Sequence, residues 1–228
     1  MTTDDRPKVT TGIHRWIGEQ VRRTYEWMGR KAAIGPDDVR GRRFGAFGSG
    51  SIICFPANTI YNERYIRIGA DTMFGPGITL SAGMVPGQQM LFDRWSRSIT
   101  MSIGKGSGIV GHLSITIGDD VWTGHHVYIT DQNHGYEDVE VPISLQVMPN
   151  ARCGSAADLA GPRHGGAPGA DIGEHVVVGA NSVSGILPDR QVAAGVPARV
   201  LRWHDAGRGW IDARDEPPPV QVARSSGS

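Results

Sequence analysis

Apolar residues recur at six-residue steps through the middle of the chain. Ile68, Phe74 and Leu80 keep the step in Ile68-Gly-Ala-Asp-Thr-Met-Phe74-Gly-Pro-Gly-Ile-Thr-Leu80. Ile103, Ile109 and Ile115 keep it again, and after a two-residue slip it resumes at Ile117, Thr123 and Ile129. Ile172, Val178 and Ser184 make a third run, and a weaker early one has Phe47, Ile53 and Thr59. In the regular hexads a small residue follows the apolar one. Alternation alone would fit the short strands of a sandwich. It does not explain one phase held over consecutive hexads, with glycine recurring just after the apolar position.

That phase suits a parallel β-solenoid. Each short face needs one inward apolar residue, then a tight turn where Gly, Asp or Asn accepts an unusual backbone conformation. A single coil cannot bury its own face, so only the stack is stable. The 32 glycines are about twice the usual 7% share and are spread along the chain, as many close turns require. The expected fold is all-β: a parallel β-helix over residues 35–204, left-handed and triangular as the hexapeptide period suggests. Ile68, Phe74, Ile103, Ile109, Ile115, Ile117, Ile129, Ile172 and Val178 should point inward.

The flanks break the period. Over residues 12–33, Ile13, Trp16, Ile17, Val21, Tyr25 and Met28 have helical spacing, so the N-terminal segment 1–34 holds an amphipathic helix. Arg22, Arg23, Arg30 and Lys31 lie on or near its other face. A membrane-surface or calmodulin-target helix is one reading. Glu19, Glu26, Asp37 and Asp38 interrupt the basic face and favour a helix packed on the solenoid end or on a neighbouring subunit. Residues 205–228 read as a tail, partly disordered, with Pro217-Pro218-Pro219 and a Ser/Gly end. Two loop insertions, 81–98 and 132–171, interrupt the hexads, and long insertions in a compact repeat are a common place for function.

Composition narrows the class. Twenty-three basic against 23 acidic residues leave no net charge, which argues against nucleic-acid binding. No apolar run is long enough to cross a bilayer, and the polar N-terminus does not read as a secretory signal. The expected compartment is the cytoplasm. Cys54 and Cys153 make neither a disulfide framework nor a metal-ligand cluster.

The second insertion begins in the string Val121-Trp-Thr-Gly-His-His-Val-Tyr-Ile-Thr-Asp131-Gln-Asn-His134. It exits through Pro142-Ile-Ser-Leu-Gln146, and the repeat region closes on Ala194-Gly-Val-Pro-Ala-Arg-Val-Leu-Arg202. With the hexads, these motifs resemble the hexapeptide-repeat acyltransferases over residues 35–204. The resemblance is to the sugar and polysaccharide O-acetyltransferases, and within them to actinobacterial members. It implies a homotrimer with acyl-CoA, here acetyl-CoA, in the groove between subunits. The acceptor, a sugar or other small hydroxyl compound, would lie under the long loop. No metal is required.

The family's general base matches His134. An alcohol attacks a thioester poorly unless its proton leaves as the new bond forms, and imidazole takes protons near neutral pH. Backbone N–H groups would hold the oxyanion, and neither cysteine is needed as a nucleophile. Asp131 is a candidate orienting partner for His134; its other reading is a turn cap. Ala180, in Gly179-Ala-Asn, matches the position that offers backbone to the pantetheine arm. Arg199 and Arg202 match basic residues that contact CoA phosphates, for which a guanidinium fork is suited; a solvated strand end is their other reading. One departure is Ser184-Gly-Ile-Leu-Pro188, which lacks the lysine relatives often carry there. His125 and His126 read as rung residues, at most one facing the groove, and His112 has no assigned role. A zinc hydratase on the same solenoid would need three histidines converging between subunits, a spacing not seen around His112, His125 and His134.

Residues 152–168 carry no six-residue phase where the family has a full coil. Back-translated with GC-rich codons and read one base earlier, Arg152-Cys-Gly-Ser becomes Pro-Val-Arg-Ile-Gly. The stretch 158–168, read one base later, becomes Thr-Trp-Leu-Gly-His-Gly-Thr-Val-Val-Leu-Pro. Three single-base deletions restore the frame and remove one residue in total; with that residue put back, the recovered Ile, Leu and Val fall at six-residue steps that run into Ile172. A frameshift in the gene or its sequencing would account for this; a variable loop is the alternative. As written, the stretch should not form a coil, and a non-catalytic or inactivated assembly protein is the competing function.

Overall fold

The computed structural model describes residues 12–83, 86–87, 101–112, 115–131, 138–146, 153–155 and 165–219. A helix, Gly12–Ala32, precedes a series of short strands. The chain returns to the same ladders coil after coil, always in parallel. In the first ladder Ile53, Phe74 and Ile103 are in register on strands Ile52–Ile53, Met73–Phe74 and Ser102–Ile103, and Ser102 bridges Trp122. In the second, Ile60, Leu80, Ile109 and Ile129 are in register on Thr59–Tyr61, Thr79–Ala82, Gly108–Gly111 and Tyr128–Thr130. A third side carries Ala46–Phe47 on Arg67–Ile68, and further along Ile115–Ile117.

The hexad phase explains the core. All nine residues expected to point inward are at most 5% exposed. Residues between them face outward, as in Ile115–Ile117, where Thr116 alone is exposed. Asp71, Asp120 and Asn181 hold left-handed turn conformations with φ of 51°, 57° and 57°, which short polar side chains accept more readily than most. Gly108 lies under the Tyr128 ring of the next coil, where an added Cβ would come within 2.8 Å of the ring.

Both ends of the stack are closed. At the start, Ile34 pairs antiparallel with Ile53. The Asp38 carboxylate accepts hydrogen bonds from Gly35, Arg40 and Gly41 N–H at 2.6, 2.8 and 2.8 Å. Partial burial pushes the Asp38 pKa up, but these donors outweigh it and hold the group below its usual value. At the other end Val177–Val178 pairs with Gln191–Ala194, which turns the sheet antiparallel through Arg199–Asp205 and Gly209–Asp212. Trp203 is buried there and donates its indole N–H to the Glu216 carbonyl at 2.9 Å. Arg208 grips the Glu216 carboxylate at 2.7 and 3.0 Å. The tail expected from residue 205 is therefore a built hairpin as far as Glu216, because Trp203 offers an apolar seat for it.

Three more expectations are revised. His125 and His126 lie in a turn, not on a rung, and both are exposed; His126 has φ 58°. The helix Gly12–Ala32 has no buried residue, so it does not pack on the solenoid end. Within the 152–168 stretch, the described residues 153–155 and 165–168 belong to strands of the ladders. Cys153–Ser155 pairs with Ile115–Ile117 on one side and with Asp171 and Ile172 on the other. Gly165 and Gly166 pair with Tyr128 and Ile129, and with Val183 and Ser184. Backbone hydrogen bonding, which does not read side chains, pairs these described residues although they carry no hexad phase.

Candidate active site

Both insertions leave the stack from one corner, the C-terminal edge of the second ladder. There Ala82 is opposite Gly111, and Val110 is opposite Thr130. Gly83, His112 and Asp131 come next on successive coils. The backbone N–H of His112 donates to Asp131 Oδ1 at 2.5 Å, and Asp131 is 1% exposed. Nδ1 of His112 is buried with no hydrogen-bond partner. On the preceding coil Asn62, at φ 59°, donates from Nδ2 to the Ala82 carbonyl at 2.6 Å and accepts from Gly87 N–H at 2.7 Å. The Tyr61 hydroxyl donates to the Gly83 carbonyl at 3.3 Å. The corner is thus braced across three coils.

His134 lies outside the described residues. Asp131 is described, and one of its carboxylate oxygens ties its coil to His112. The far end of the same insertion is closed by Gln146, whose Nε2 donates to the carbonyls of Asp138 and Val141 at 2.7 and 2.8 Å. That gives the Pro142…Gln146 motif a structural role.

A second corner lies at the opposite edge of the same face. Ala180 is exposed in the turn before strand Val183–Leu187. An added Cβ on Gly179 would meet Ala194 Cβ at 2.8 Å, and Gly179 N–H donates to the Ala193 carbonyl at 2.7 Å. Ser182 stitches this turn together, donating to the Gly179 carbonyl at 2.6 Å and accepting from Gly195 N–H at 2.9 Å. Ala194 pairs with Arg199, so Ala180 and Arg199 share one corner. Arg202 stands opposite Asp212. The Asp212 carboxyl is held far below its usual range, chiefly by hydrogen bonds to Arg214, with Arg202 adding to the effect. Arg202 therefore has an anionic neighbour of its own.

Among the described residues no group of three His, Cys, Asp or Glu side chains is arranged to hold a metal. Partial burial pushes the Cys54 thiol pKa up, away from the thiolate form.

No family model matches the chain. WbbJ of Escherichia coli K12, whose name assigns it O-acetyl transfer in lipopolysaccharide biosynthesis, is 35% identical over 160 residues; these cover 66% of this chain and 78% of WbbJ. The chain belongs to the hexapeptide-repeat acyltransferase family. The galactoside O-acetyltransferase of Escherichia coli K12 is 28% identical over 145 residues, 63% of this chain and 47% of that protein. Rv3034c of Mycobacterium tuberculosis, an acetyltransferase by name, is 32% identical over 103 residues, 44% of this chain and 34% of its own length. Among solved structures, AntD, an N-acyltransferase from Bacillus cereus in complex with dTDP and 3-hydroxybutyryl-CoA, superposes with a TM-score of 0.58 at 17% identity. The match covers 76% of this chain and 90% of AntD. It shows that this hexapeptide-repeat acyltransferase shares the AntD fold.

Reading the sequence alone missed His112, Asn62 and Tyr61 as part of the corner. The signal was available for His112, which follows a Gly at the end of a hexad on the coil before the insertion.

Proposed function

We propose that this chain transfers an acetyl group from acetyl-CoA to a hydroxyl of a sugar or related small acceptor, on a left-handed β-helix of homotrimeric form. The observation that carries this reading is the Asp131 corner, where the two insertions leave together and a buried carboxylate sits at the root of the string that bears His134. His134 removes the acceptor proton as oxygen attacks the thioester carbonyl. The tetrahedral adduct then collapses with cleavage of the C–S bond, coenzyme A leaves as the thiol by taking the proton from His134, and the acetyl group passes directly to the acceptor without an acyl-enzyme. Ala180 and its turn line the pantetheine path, and Arg199 meets the CoA phosphates. The sugar acceptor follows the names of WbbJ and the galactoside enzyme, and the branch nearest Rv3034c is the one proposed.

Two features support assembly from several copies. The Asp131 corner and the Ala180 turn lie at opposite edges of one face, so a site that uses both joins two subunits. Ile52, Met73 and Trp122 also line up outward on the first ladder and are 37, 48 and 64% exposed, a stripe a neighbouring copy would cover. The chain functions in the cytoplasm in this reading.

Arg199→Ala is expected to weaken acetyl-CoA binding about tenfold, the loss of one charge-assisted contact at an exposed site. Arg202→Ala is expected to do less, since Asp212 already engages that region. Titration calorimetry with acetyl-CoA reads both; an unchanged Kd in Arg199→Ala removes the arginine from the CoA site.

A second reading, a stack that assembles without catalysis, rests on the 153–155 register. Cys153-Gly-Ser stands where the adjacent coil has Ile115-Thr-Ile117. The shifted reading writes Val-Arg-Ile in this strand, an aliphatic-polar-aliphatic alternation like that of Ile115-Thr-Ile117. Frame restoration is expected to add about 1.5–3 kcal/mol for each aliphatic side chain buried, read as a higher Tm, and to strengthen acetyl-CoA binding. Resequencing decides the origin: an unbroken frame in independent clones that encodes the residues as given, with no gain in Tm on restoration, overturns the frameshift. Folded trimer without acetyl-CoA binding, in both versions of the chain, favours the assembly protein.

A further inference from the structure

We propose that the N-terminal helix, Gly12–Ala32, docks the protein on an anionic lipid bilayer by lying in the plane of the headgroups. On a helical wheel at 100° per residue, Trp16, Trp27, Ile13, Ile17, Met28, Val21 and Tyr25 occupy one half of the cylinder. Arg22, Arg15, Arg30 and Arg23 occupy the other half with Glu26 and Glu19. Every large apolar residue of this arc is exposed: Ile13 by 65%, Trp16 by 63% and Val21 by 63%. No helix residue is buried. The helix is joined to the stack just beyond its C-terminus, where Ile34 and Ile53 exchange backbone hydrogen bonds at 2.9 Å. It therefore stands at the N-terminal end of the stack, away from the closing hairpin.

The charge and aromatic placement select the occupant. Trp16 and Trp27 sit at one border of the apolar arc and Tyr25 at the other, where amphipathic rings meet headgroups. Arg23 and Arg30 flank the tryptophan border. The acidic residues do not cancel this. Glu19 is bracketed by Arg22 and Arg23 at 2.6 and 3.1 Å, and Asp38 is turned onto loop N–H groups. Arg15, Arg30 and Lys31 remain against Glu26, a net positive helix. An arc this wide, with Gln20, Thr24, His14 and Lys31 within it, is broader and more polar than the narrow seam of a helix pair, and the long Lys31 stem can carry its ammonium from the apolar face up to the headgroups. It matches an interfacial helix that binds reversibly. No helix among the described residues is long and apolar enough to cross the membrane, so the contact is peripheral.

The test is flotation of the full chain with vesicles of phosphatidylcholine alone or mixed with phosphatidylglycerol. The protein is expected to float with the phosphatidylglycerol vesicles and to be released as salt rises, since screening shortens the reach of surface charge. The Arg15→Glu, Arg30→Glu chain should lose at least about fivefold in binding for each basic residue removed. Ile17→Glu with Val21→Glu should abolish binding while leaving oligomeric state and the coil stack unchanged. Two results overturn the proposal. One is no flotation with anionic vesicles at low salt. The other is a change of oligomeric state in the Ile17→Glu, Val21→Glu chain, which assigns the apolar arc to a second copy.

Discussion

Replacing His134 with alanine is expected to lower turnover by about 10²–10⁴-fold, the usual effect of removing a positioned general base. A sugar hydroxyl keeps its proton at neutral pH, so its attack on a thioester needs a proton acceptor in the transition state. In the corner described above, one Asp131 oxygen is engaged by the His112 N–H. His134 is the third residue after it in sequence, a short tether to a fixed root. The other candidates are less suited. His125 and His126 are exposed turn residues near the opposite edge of the same face. Acetyl-CoA binding should survive in His134→Ala, because the CoA contacts proposed at Ala180 and Arg199 belong to the other corner. His126→Ala should keep most of its activity. Steady-state kinetics and calorimetry on the chain as written and on the frame-restored chain separate chemistry from binding. A trimeric His134→Ala protein with near-full activity places the base elsewhere.

Ile109→Asp is expected to yield no soluble folded protein. Ile109 is 1% exposed and stands in register between Leu80 and Ile129. Its neighbours across the core include Ile68, Phe74 and Ile115, none of which can pair a carboxylate. An unpaired buried charge meets a large desolvation penalty, while the whole domain is held by only about 5–15 kcal/mol. Each coil is stabilised by the next, so damage at one rung spreads along the stack. Ile109→Val removes a single methylene and should cost about 0.5–1.5 kcal/mol, with the protein still soluble. Circular dichroism and solubility distinguish the two; a folded Ile109→Asp protein contradicts the inward register.

The hexads made the core legible because burial there depends on one residue in six, and the period survives in the sequence. Turn geometry was less legible. His125 and His126 follow Gly124 in a hexad and read equally as strand or turn until the left-handed φ of His126 is known. The hairpin through Glu216 was hidden because its anchor, Trp203, sits outside the repeat, and a proline-rich end reads as tail. The Ala180–Arg199 corner is joined through Ala194, a contact between coils that no local spacing encodes. The ladder at 153–155 was hidden for a different reason. Parallel pairing is a backbone property, whereas sequence reading follows side chains, and there the two disagree. The helix was visible from its spacing, but what covers it could not be read before its lack of contact with the stack was seen.

The most direct test is transfer of labelled acetyl from acetyl-CoA to a panel of sugars and glycosides by the full chain, written and frame-restored. The account predicts an alkali-labile acetyl ester on an acceptor hydroxyl, with release of one equivalent of CoA thiol and loss of both signals in His134→Ala. Binding of acetyl-CoA with label appearing only on amines, or no acetyl-CoA binding by either version of a folded trimer, would contradict it.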